Sequence, residues 1–229
     1  MAFKNQKIKL TRDGSHTVFS EQFKETYHSI HGAFQEAKHV FIKHGILSFL
    51  EKELDEINIL EVGFGTGLNA LLTYDIADLK KQKIKYTSLE PFPLFFEQIS
   101  YLNYFSFFEN PEAKKSHYKS LHASTWEYWH SFSSFFSFRK KKITIEAYEE
   151  DNLTFDLIYF DAFSPTTHPE IWNINVLKKA FNLLKIDGLL VTYCANGEFK
   201  RNLKSIGFEV ISAPGPPGKR EMTIARKIN

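Results

Sequence analysis

Cysteine is nearly absent from this chain of 229 residues, which contains a single one, Cys194. One cysteine excludes an intramolecular disulfide and a zinc site built from several cysteines, and it fits a reducing compartment. Its apolar neighbours predict a buried thiol in a strand. The sequence also shows no signal peptide and no apolar segment long enough to cross a membrane. We therefore expect a cytoplasmic protein with no membrane partner.

Net charge is low as well, with a formal value of +2 at pH 7. That value does not by itself predict a nucleic-acid partner. Basic residues are concentrated in two short runs, 80–85 and 139–142. Runs of this kind are usually solvated loop ends, and contact with RNA phosphates is the alternative. Aromatic residues, by contrast, reach 16% with 23 phenylalanines, which predicts a Phe-rich core and leaves a ring-lined pocket open.

Three alternating glycines are the most informative feature of the chain. They follow an apolar run, 57–62, that predicts a buried parallel strand, and they precede a helix-forming segment, 68–79. Glycine lets the backbone turn tightly and approach a ligand closely. The dinucleotide fingerprint has its third glycine one residue later, so this spacing, with an acid two residues before it, favours S-adenosylmethionine (SAM) over NAD. We assign cofactor binding to the loop and its flanks: Glu61, Gly63, Gly65, Thr66, Gly67 and Asn69.

Strand and helix patterns alternate from residue 57 onward. The predicted strands are 57–62, 84–89, 143–148, 155–160, 189–193, 208–212 and 221–225. The predicted helices are 21–49, 68–79, 93–108, 121–136, 170–184 and 198–205. This alternation predicts an α/β fold with a mostly parallel, seven-stranded sheet between helices. The two consecutive strands at the end predict an antiparallel hairpin, which is the layout of class I, Rossmann-like methyltransferases.

The first fifty residues precede this alternating pattern. They are expected to form an N-terminal hairpin and helical extension, with strands 7–10 and 16–19 joined at an Asp13-Gly14 turn. Residues 51–229 are expected to form the methyltransferase domain. No linker composition separates the two parts, so we expect one structural unit.

Acidic residues stand at the ends of three predicted strands: Glu61, Glu90 and Asp161. Ligands of open α/β sheets bind at this edge. Glu90 is suited to accept hydrogen bonds from two ribose hydroxyls, because an ionised carboxylate offers two oxygens. Glu61 is expected near the ammonium of the methionine moiety or beneath the glycine loop. Each acid alone has an alternative explanation as a solvated carboxylate or a helix N-cap, but the recurrence of three acids at one sheet edge favours a ligand site.

The adenine contact is expected after the third predicted strand. Glu149 is our assignment there, and Glu150 and Asp151 remain alternatives. Asp161 opens the second strong motif, Asp-Ala-Phe-Ser-Pro, in which Pro165 restricts the preceding residue and shapes a fixed loop. We expect Asp161 where a methyl acceptor meets the sulfonium; capping of the loop's own amides is the alternative.

These segments together resemble the methyltransferase of the MnmC/MnmD family, from about residue 16 to residue 226. The matching strings are Gly-Ala-Phe-Gln-Glu (32–36), Glu-Val-Gly-Phe-Gly-Thr-Gly-Leu-Asn (61–69), Leu-Glu-Pro-Phe-Pro (89–93), Asp-Ala-Phe-Ser-Pro (161–165), Pro-Glu-Ile-Trp (169–172) and Gly-Pro-Pro-Gly-Lys-Arg-Glu-Met (215–222). Enzymes of this family complete 5-methylaminomethyl-2-thiouridine at the wobble position of certain tRNAs. The segment 139–153 departs most from the family pattern, which leaves the adenine contact open.

The resemblance implies a SAM-dependent N-methyltransferase that acts on 5-aminomethyl-2-thiouridine in the anticodon loop of tRNA, with Asp161 as its catalytic residue. On the substrate side it implies a ring-lined slot for the base and a basic loop for phosphate. We assign these contacts to Phe163, Pro165, Trp172, Lys219 and Arg220, with Tyr193 as a further candidate for the slot.

The resemblance also concerns cofactors and partners. In many bacteria this domain is fused to a flavin-dependent oxidoreductase, and the present chain resembles the stand-alone methyltransferase form. We therefore expect no FAD, no metal and no obligate protein partner. Three alternatives remain: a class I methyltransferase acting on a small molecule or a protein, a nicotinamide-dependent enzyme, and a non-catalytic tRNA-binding protein.

Overall fold

The computed structural model describes residues 6–228. Its strands are β1 Gln6–Leu10, β2 His16–Ser20, β3 Glu25–Thr26, β4 Glu56–Val62, β5 Lys83–Leu89, β6 His130–Ser131, β7 Phe136–Lys141, β8 Phe155–Phe160, β9 Leu184–Thr192, β10 Phe208–Pro214 and β11 Glu221–Lys227. Its α-helices are α1 Ala33–Ala37, α2 Leu68–Lys80, α3 Phe96–Ile99, α4 Pro111–Ala123, α5 Ile174–Leu183 and α6 Gly197–Ile206. A π-helical turn, Lys38–Lys43, continues α1, and single 3₁₀ turns occur at Ile46–Ser48, Tyr104–Phe107 and Pro169–Trp172.

Eight of the described strands form one sheet, in the order β10-β11-β9-β8-β4-β5-β7-β6. The five strands from β9 to β7 are parallel to one another. At one edge β11 runs antiparallel to β9 and forms a hairpin with β10, and at the other edge the two-residue β6 runs antiparallel to β7. The chain winds outward from β4 in both directions, so the order of strands reverses there. Such a switch point opens a crevice at the carboxyl ends of the strands. The predicted parallel α/β sheet with its antiparallel hairpin is confirmed.

The predicted third strand, 143–148, is wrong. That segment is a turn in which Ile145 and Tyr148 are buried, and the strand beside β5 is β7. Buried and partly exposed residues alternate along β7, and its basic residues disguised that pattern. Lys140 is only 1% exposed, yet its ammonium donates to the carbonyls of Leu121 and His122 at the end of α4. A long side chain can place its charged end on such carbonyls while its stem lies in the core.

Three predicted helices also differ from the structure. The helix predicted at 121–136 is wrong, since α4 lies earlier: Asn110 caps its first turn by accepting from the Ala113 amide at 3.3 Å, and Pro111 follows. The helix predicted at 21–49 is replaced at its start by β3 and a loop. Gly32, at φ 151°, precedes the short helix α1. Between 93 and 108 only α3 and a 3₁₀ turn are helical.

The predicted N-terminal hairpin is confirmed, with β1 antiparallel to β2 and Ile8 opposite Val18. Its second strand contributes Val18 to the cluster of buried apolar residues that covers one face of the main sheet. Phe34 and Phe41 join the same cluster, and the Phe41 ring lies 5.1 Å from that of Tyr159 in β8. A second buried cluster, between the sheet and helices α5 and α6, covers the other face. No helix within residues 6–228 is both long and apolar enough to span a bilayer.

We expect Leu157→Ala to destabilise the fold by about 2–5 kcal/mol, because this fully buried leucine lies in β8, the strand beside β4. Urea denaturation monitored by circular dichroism measures the change. Leu79→Ala is the matched control: Leu79 is 68% exposed on α2, so its substitution should change the unfolding free energy by about 0.5 kcal/mol or less. Equal losses in the two variants would contradict the placement of this core.

Candidate active site

A cavity of about 350 Å³ lies at the carboxyl ends of β4, β5 and β8. Its size falls in the range of small-molecule sites, roughly 300–1,000 Å³. Four segments of the sheet edge line it: the glycine loop, the residues after β5, the turn 143–146 and the start of the Asp161 loop. Residues of the N-terminal segment, together with His168, Glu170 and Ile171, complete the lining. The cavity therefore lies where the switch point of the sheet predicts a ligand.

The glycine loop is shaped for a ligand that touches backbone. Gly63 has φ 95°, and a Cβ there would lie 2.3 Å from the carbonyl oxygen of Asp161. Gly65 has φ 48°, and a Cβ would crowd the Tyr27 ring at 3.0 Å. Both glycines line the cavity together with Thr66. Side chains are excluded at these positions by sterics and by backbone conformation, which leaves peptide groups facing the cavity.

Glu90 lines the cavity and is 7% exposed. Its Oε2 accepts from the Gly65 amide at 2.9 Å, and its Oε1 accepts from the Phe92 amide at 2.8 Å. Burial raises the pKa of this carboxyl, and the two amide bonds counteract the rise. An ionised carboxylate offers about four acceptor positions, so each oxygen keeps one for a ligand hydroxyl. The geometry fits a ribose diol, as the sequence predicts.

Glu61 lies beneath the glycine loop, fully buried, and is not part of the cavity lining. Its Oε2 accepts from the Ser88 hydroxyl at 2.5 Å, and its Oε1 has no hydrogen-bond partner among the described residues. Burial raises the pKa of Glu61 to about 8. Its position outside the cavity lining does not fit contact with the ammonium of SAM, and support of the glycine loop stays a prediction.

Asp161 lines the cavity beside Asn69, whose Nδ2 donates to Oδ2 of Asp161 at 2.8 Å. Burial raises the pKa of Asp161 to about 7, and the Glu36 carboxylate contributes to the rise. The Asn69 hydrogen bond and the Lys219 ammonium lower it. A carboxyl poised near neutral pH inside a cleft is typical of a functional group. Asn69, predicted from the glycine string, thus orients the predicted catalytic acid.

Part of the cavity lining comes from the N-terminal segment, which the sequence did not assign to the site. The Phe23 ring lies 4.8 Å from that of Phe163, and the Tyr27 ring lies 4.9 Å from Phe163. Glu25 fastens this segment to the Asp161 loop: its Oε2 accepts from the Ser164 amide at 3.1 Å and from the Thr167 hydroxyl at 2.6 Å. These are contacts between residues about 140 positions apart, for which the sequence carries no periodic signal.

His28 is a second site residue that sequence reasoning missed. It is buried, lines the cavity and lies 3.4 Å from the Thr66 hydroxyl through Nε2. Burial lowers the pKa of His28 to about 4. The ring is therefore neutral at pH 7 and adds no positive charge to the site.

Other assigned residues lie around the cavity rather than in its lining. Glu149 is exposed and lies outside the lining, whereas Glu146, three residues earlier, is part of the lining. Trp172 is buried and donates from Nε1 to the Phe163 carbonyl at 2.7 Å, which supports the Asp161 loop from behind. Pro165 is partly buried in that loop and likewise outside the lining.

The two basic residues of the β10–β11 loop, Lys219 and Arg220, have different environments. Lys219 forms an ion pair with Glu36, with Nζ 2.7 Å from Oε2, and lies over the Tyr193 ring. Arg220 is exposed. Both residues line a second, more open cavity of about 510 Å³ that includes Tyr193. Within residues 6–228, no group of three or more His, Cys, Asp or Glu side chains is arranged to hold a metal ion.

Comparisons with known proteins agree with this geometry. Residues 136–228 match the model of a family described as S-adenosyl-L-methionine-dependent methyltransferase. The crystal structure of MnmC2 from Aquifex aeolicus superposes with a TM-score of 0.78 at 27% identity, covering 97% of this chain and 70% of that one. The predicted resemblance to the MnmC/MnmD family is confirmed, and so is the class I methyltransferase fold.

Curated proteins that are similar to this chain in sequence are named MnmC. The tRNA 5-methylaminomethyl-2-thiouridine biosynthesis bifunctional protein MnmC of Cupriavidus metallidurans is 30% identical over 235 residues, which cover 95% of this chain and 33% of the relative. MnmC of Leptospira interrogans is 33% identical over 232 residues, covering 94% and 34%. The chain thus spans about a third of the length of these relatives.

We expect Glu90→Ala to weaken SAM binding at least about tenfold, because it removes the two acceptor positions left for the ribose and releases the Gly65 amide. Isothermal titration calorimetry with SAM measures the affinity. Glu146→Ala, inside the lining, should weaken binding less, and Glu149→Ala, outside it, should leave affinity unchanged. A larger effect at Glu149 than at Glu146 would restore the sequence-based assignment of the adenine contact.

Proposed function

We propose that this chain transfers a methyl group from SAM to the exocyclic amine of 5-aminomethyl-2-thiouridine at the wobble position of tRNA. The observation that carries the proposal is Asp161, held by Asn69 at 2.8 Å at the edge of a cavity with a glycine cradle. The names of the MnmC relatives supply the nucleoside. Cavity and relatives together favour this reaction over NAD chemistry and over tRNA binding without catalysis.

The residues present fit SAM. Gly63 and Gly65 offer backbone where side chains are excluded, Glu90 has acceptor positions left for the ribose, and Ile143 and Ile145 offer apolar surface to a base. When bound, SAM supplies an electrophilic methyl group on a positively charged sulfur. Glu90 and Asp161 are two of the acidic residues that line the same cavity, and their carboxylates would favour that positive charge.

Asp161 acts on the acceptor amine. An alkyl ammonium has a pKa of roughly 10, as in lysine, and only its neutral form has the lone pair that attacks. The ionised Asp161 carboxylate accepts a hydrogen bond from this ammonium and orients the nitrogen toward the methyl group. Loss of one ammonium proton, to Asp161 or to water, frees the lone pair for attack. Where the proton leaves to water, the Asp161 carboxylate stays ionised and stabilises the positive charge that grows on nitrogen. Positioning and electrostatic stabilisation of this kind account for much of the rate of a methyl transfer.

Features at the mouth of the cavity support an RNA base as the acceptor. The rings of Phe23, Phe92 and Phe163 lie together there, with centroid separations of 5.5 Å for Phe23–Phe92 and 4.8 Å for Phe23–Phe163. Unstacked bases are recognised by aromatic side chains of this kind. Arg220, exposed on the neighbouring loop, is available to a phosphate.

The decisive assay incubates the purified protein with SAM and with bulk tRNA that lacks the modification, followed by nucleoside analysis. We expect 5-methylaminomethyl-2-thiouridine to accumulate. Asp161→Asn should lower the rate about 100-fold or more, because the amide cannot accept the proton. It should leave SAM affinity within about twofold by calorimetry, since Asn keeps the shape of Asp. Methylation that survives nuclease digestion of the tRNA before the assay would point instead to a free small molecule or a protein as acceptor.

The pH dependence provides a further prediction. Since the pKa of Asp161 is about 7, kcat/KM should fall as pH drops below 7 and Asp161 becomes protonated. Asn69→Ala removes a hydrogen bond that lowers this pKa, so the midpoint of the fall should move to higher pH. Stopped-time assays with radiolabelled SAM between pH 5.5 and 9 measure the profile. A midpoint that stays in place would mean that ionisation of the substrate alone governs the rate.

A further inference from the structure

The ion pair between Lys219 and Glu36 is partly buried, with the carboxylate enclosed and the Lys219 side chain 30% exposed. The Glu36 side chain is 8% exposed, its Oε2 accepts from the Lys219 ammonium at 2.7 Å, and its Oε1 accepts from the Ser29 amide at 3.0 Å. Both carboxylate oxygens therefore have donors. Lys219 is committed to this partner and does not extend toward solvent in the way that Arg220 does. The pair is built into the fold and is not a surface contact, which would contribute little.

This pair closes the β10–β11 loop onto the N-terminal segment. Two neighbouring contacts join the same two parts of the chain: His39 Nε2 lies 2.7 Å from the Pro214 carbonyl oxygen, and Gly218 packs against His31. A Cβ on Gly218, whose φ is 85°, would lie 2.2 Å from the His31 ring. The loop is thus held at three points, of which Glu36–Lys219 is the charged one.

The Lys219 ammonium is also linked to the Asp161 loop through Tyr193. It lies 3.6 Å from the centroid of the Tyr193 ring, and the Tyr193 hydroxyl donates to the Ala162 carbonyl at 2.7 Å. Ala162 follows Asp161 directly. One chain of contacts therefore runs from Glu36 through Lys219 and Tyr193 to the backbone beside the predicted catalytic acid.

We propose that Glu36 and Lys219 are positioning residues for Asp161, the residue proposed to act on the methyl acceptor. Their ion pair fixes the β10–β11 loop and places one negative and one positive charge near the Asp161 loop. The inference rests on the proposed function for its catalytic meaning. It replaces the assignment of Lys219 to a tRNA phosphate, and leaves that contact to Arg220.

The two charges act on Asp161 in opposite directions. Glu36 raises the pKa of Asp161 and Lys219 lowers it, while burial is the largest cause of the rise. The other titratable groups that interact with Asp161 are buried acids and phenols: Glu61, Tyr86, Tyr104 and Tyr193. The charges of Glu36 and Lys219 also act on the pKa of His28, but burial keeps this ring neutral at pH 7. Among these groups, Glu36 and Lys219 are the charged pair, and neither residue lines the 350 Å³ cavity. Their substitution therefore changes a charge without altering the lining of that cavity.

The experiment follows Asp161 directly, in protein labelled with ¹³C at the aspartate carboxyl, by NMR titration between pH 4 and 9. The Asp161→Asn spectrum assigns the resonance. Glu36→Gln should lower the Asp161 midpoint and Lys219→Met should raise it, each by about half a unit or more, as expected for the loss of one nearby charge. The kcat/KM profiles should move in the same two directions.

Two control variants separate the effect of the two charges on Asp161 from the effect of holding the β10–β11 loop in place. Arg220→Met removes one positive charge from the same loop, outside the pair, and should leave the midpoint unchanged while reducing the salt dependence of tRNA binding. His39→Ala loosens the loop without removing either charge, and should also leave the midpoint unchanged. Lys219→Arg should restore the wild-type midpoint.

Opposite shifts in the two variants support the inference even where tRNA methylation fails, in which case the proposed function alone is refuted. Unmoved midpoints, or shifts of the same sign, would overturn it. Should Glu36→Gln prove too unstable for titration, the Lys219→Met, Lys219→Arg and Arg220→Met series alone decides: a midpoint equal in all three rejects a role for Lys219 at Asp161.

Discussion

The parallel pairing of β4 with β8 is the constraint on which the site depends. Val62 lies opposite Phe160, and the pairing extends one residue further because the Asp161 amide donates to the Val62 carbonyl at 3.0 Å. This bond places Asp161 directly beside Gly63, so closely that no side chain fits between them. The register of two strands therefore sets the distance from the glycine cradle to Asp161, the proposed catalytic acid, and a slip of one residue would turn Asp161 to the other face of the sheet.

Three carboxyls crowd the same sheet edge, and their environments differentiate them. Glu61 is fully buried with one hydrogen-bond donor, and its pKa rises to about 8, which favours a neutral structural group. Glu90 receives two backbone amides, which favour its ionised form and leave acceptor positions for a ligand. Asp161 lies between, with one side-chain donor and a pKa of about 7. Such separation of environments is how a fold gives neighbouring acids different roles.

The parts predicted well were those governed by local pattern. The β4 and β8 strands are mostly apolar, and the glycines and Asn69 follow β4 in the same string, so the cofactor edge could be inferred from sequence. The β7 strand was missed because a lysine is normally expected at the surface. Lys140 is buried, and its own ammonium donates to carbonyls at the end of α4. Phe23 and His28 were missed because tertiary packing alone brings them to the cavity. The ion pair of Lys219 with Glu36 was not predicted, because sequence does not reveal a partner 183 positions away.

Burial of Asp161 changes the energetics of proton removal under the proposed function. Transfer from an alkyl ammonium with a pKa of roughly 10 to an ordinary aspartate near 3.9 is uphill by about 8 kcal/mol. With the pKa of Asp161 at about 7, the same transfer is uphill by about 4 kcal/mol. The N-terminal segment contributes to this gain, because it covers the cavity and carries Glu36. The segment that lines the cavity thus also supplies a charge, Glu36, that makes the Asp161 carboxylate a stronger base.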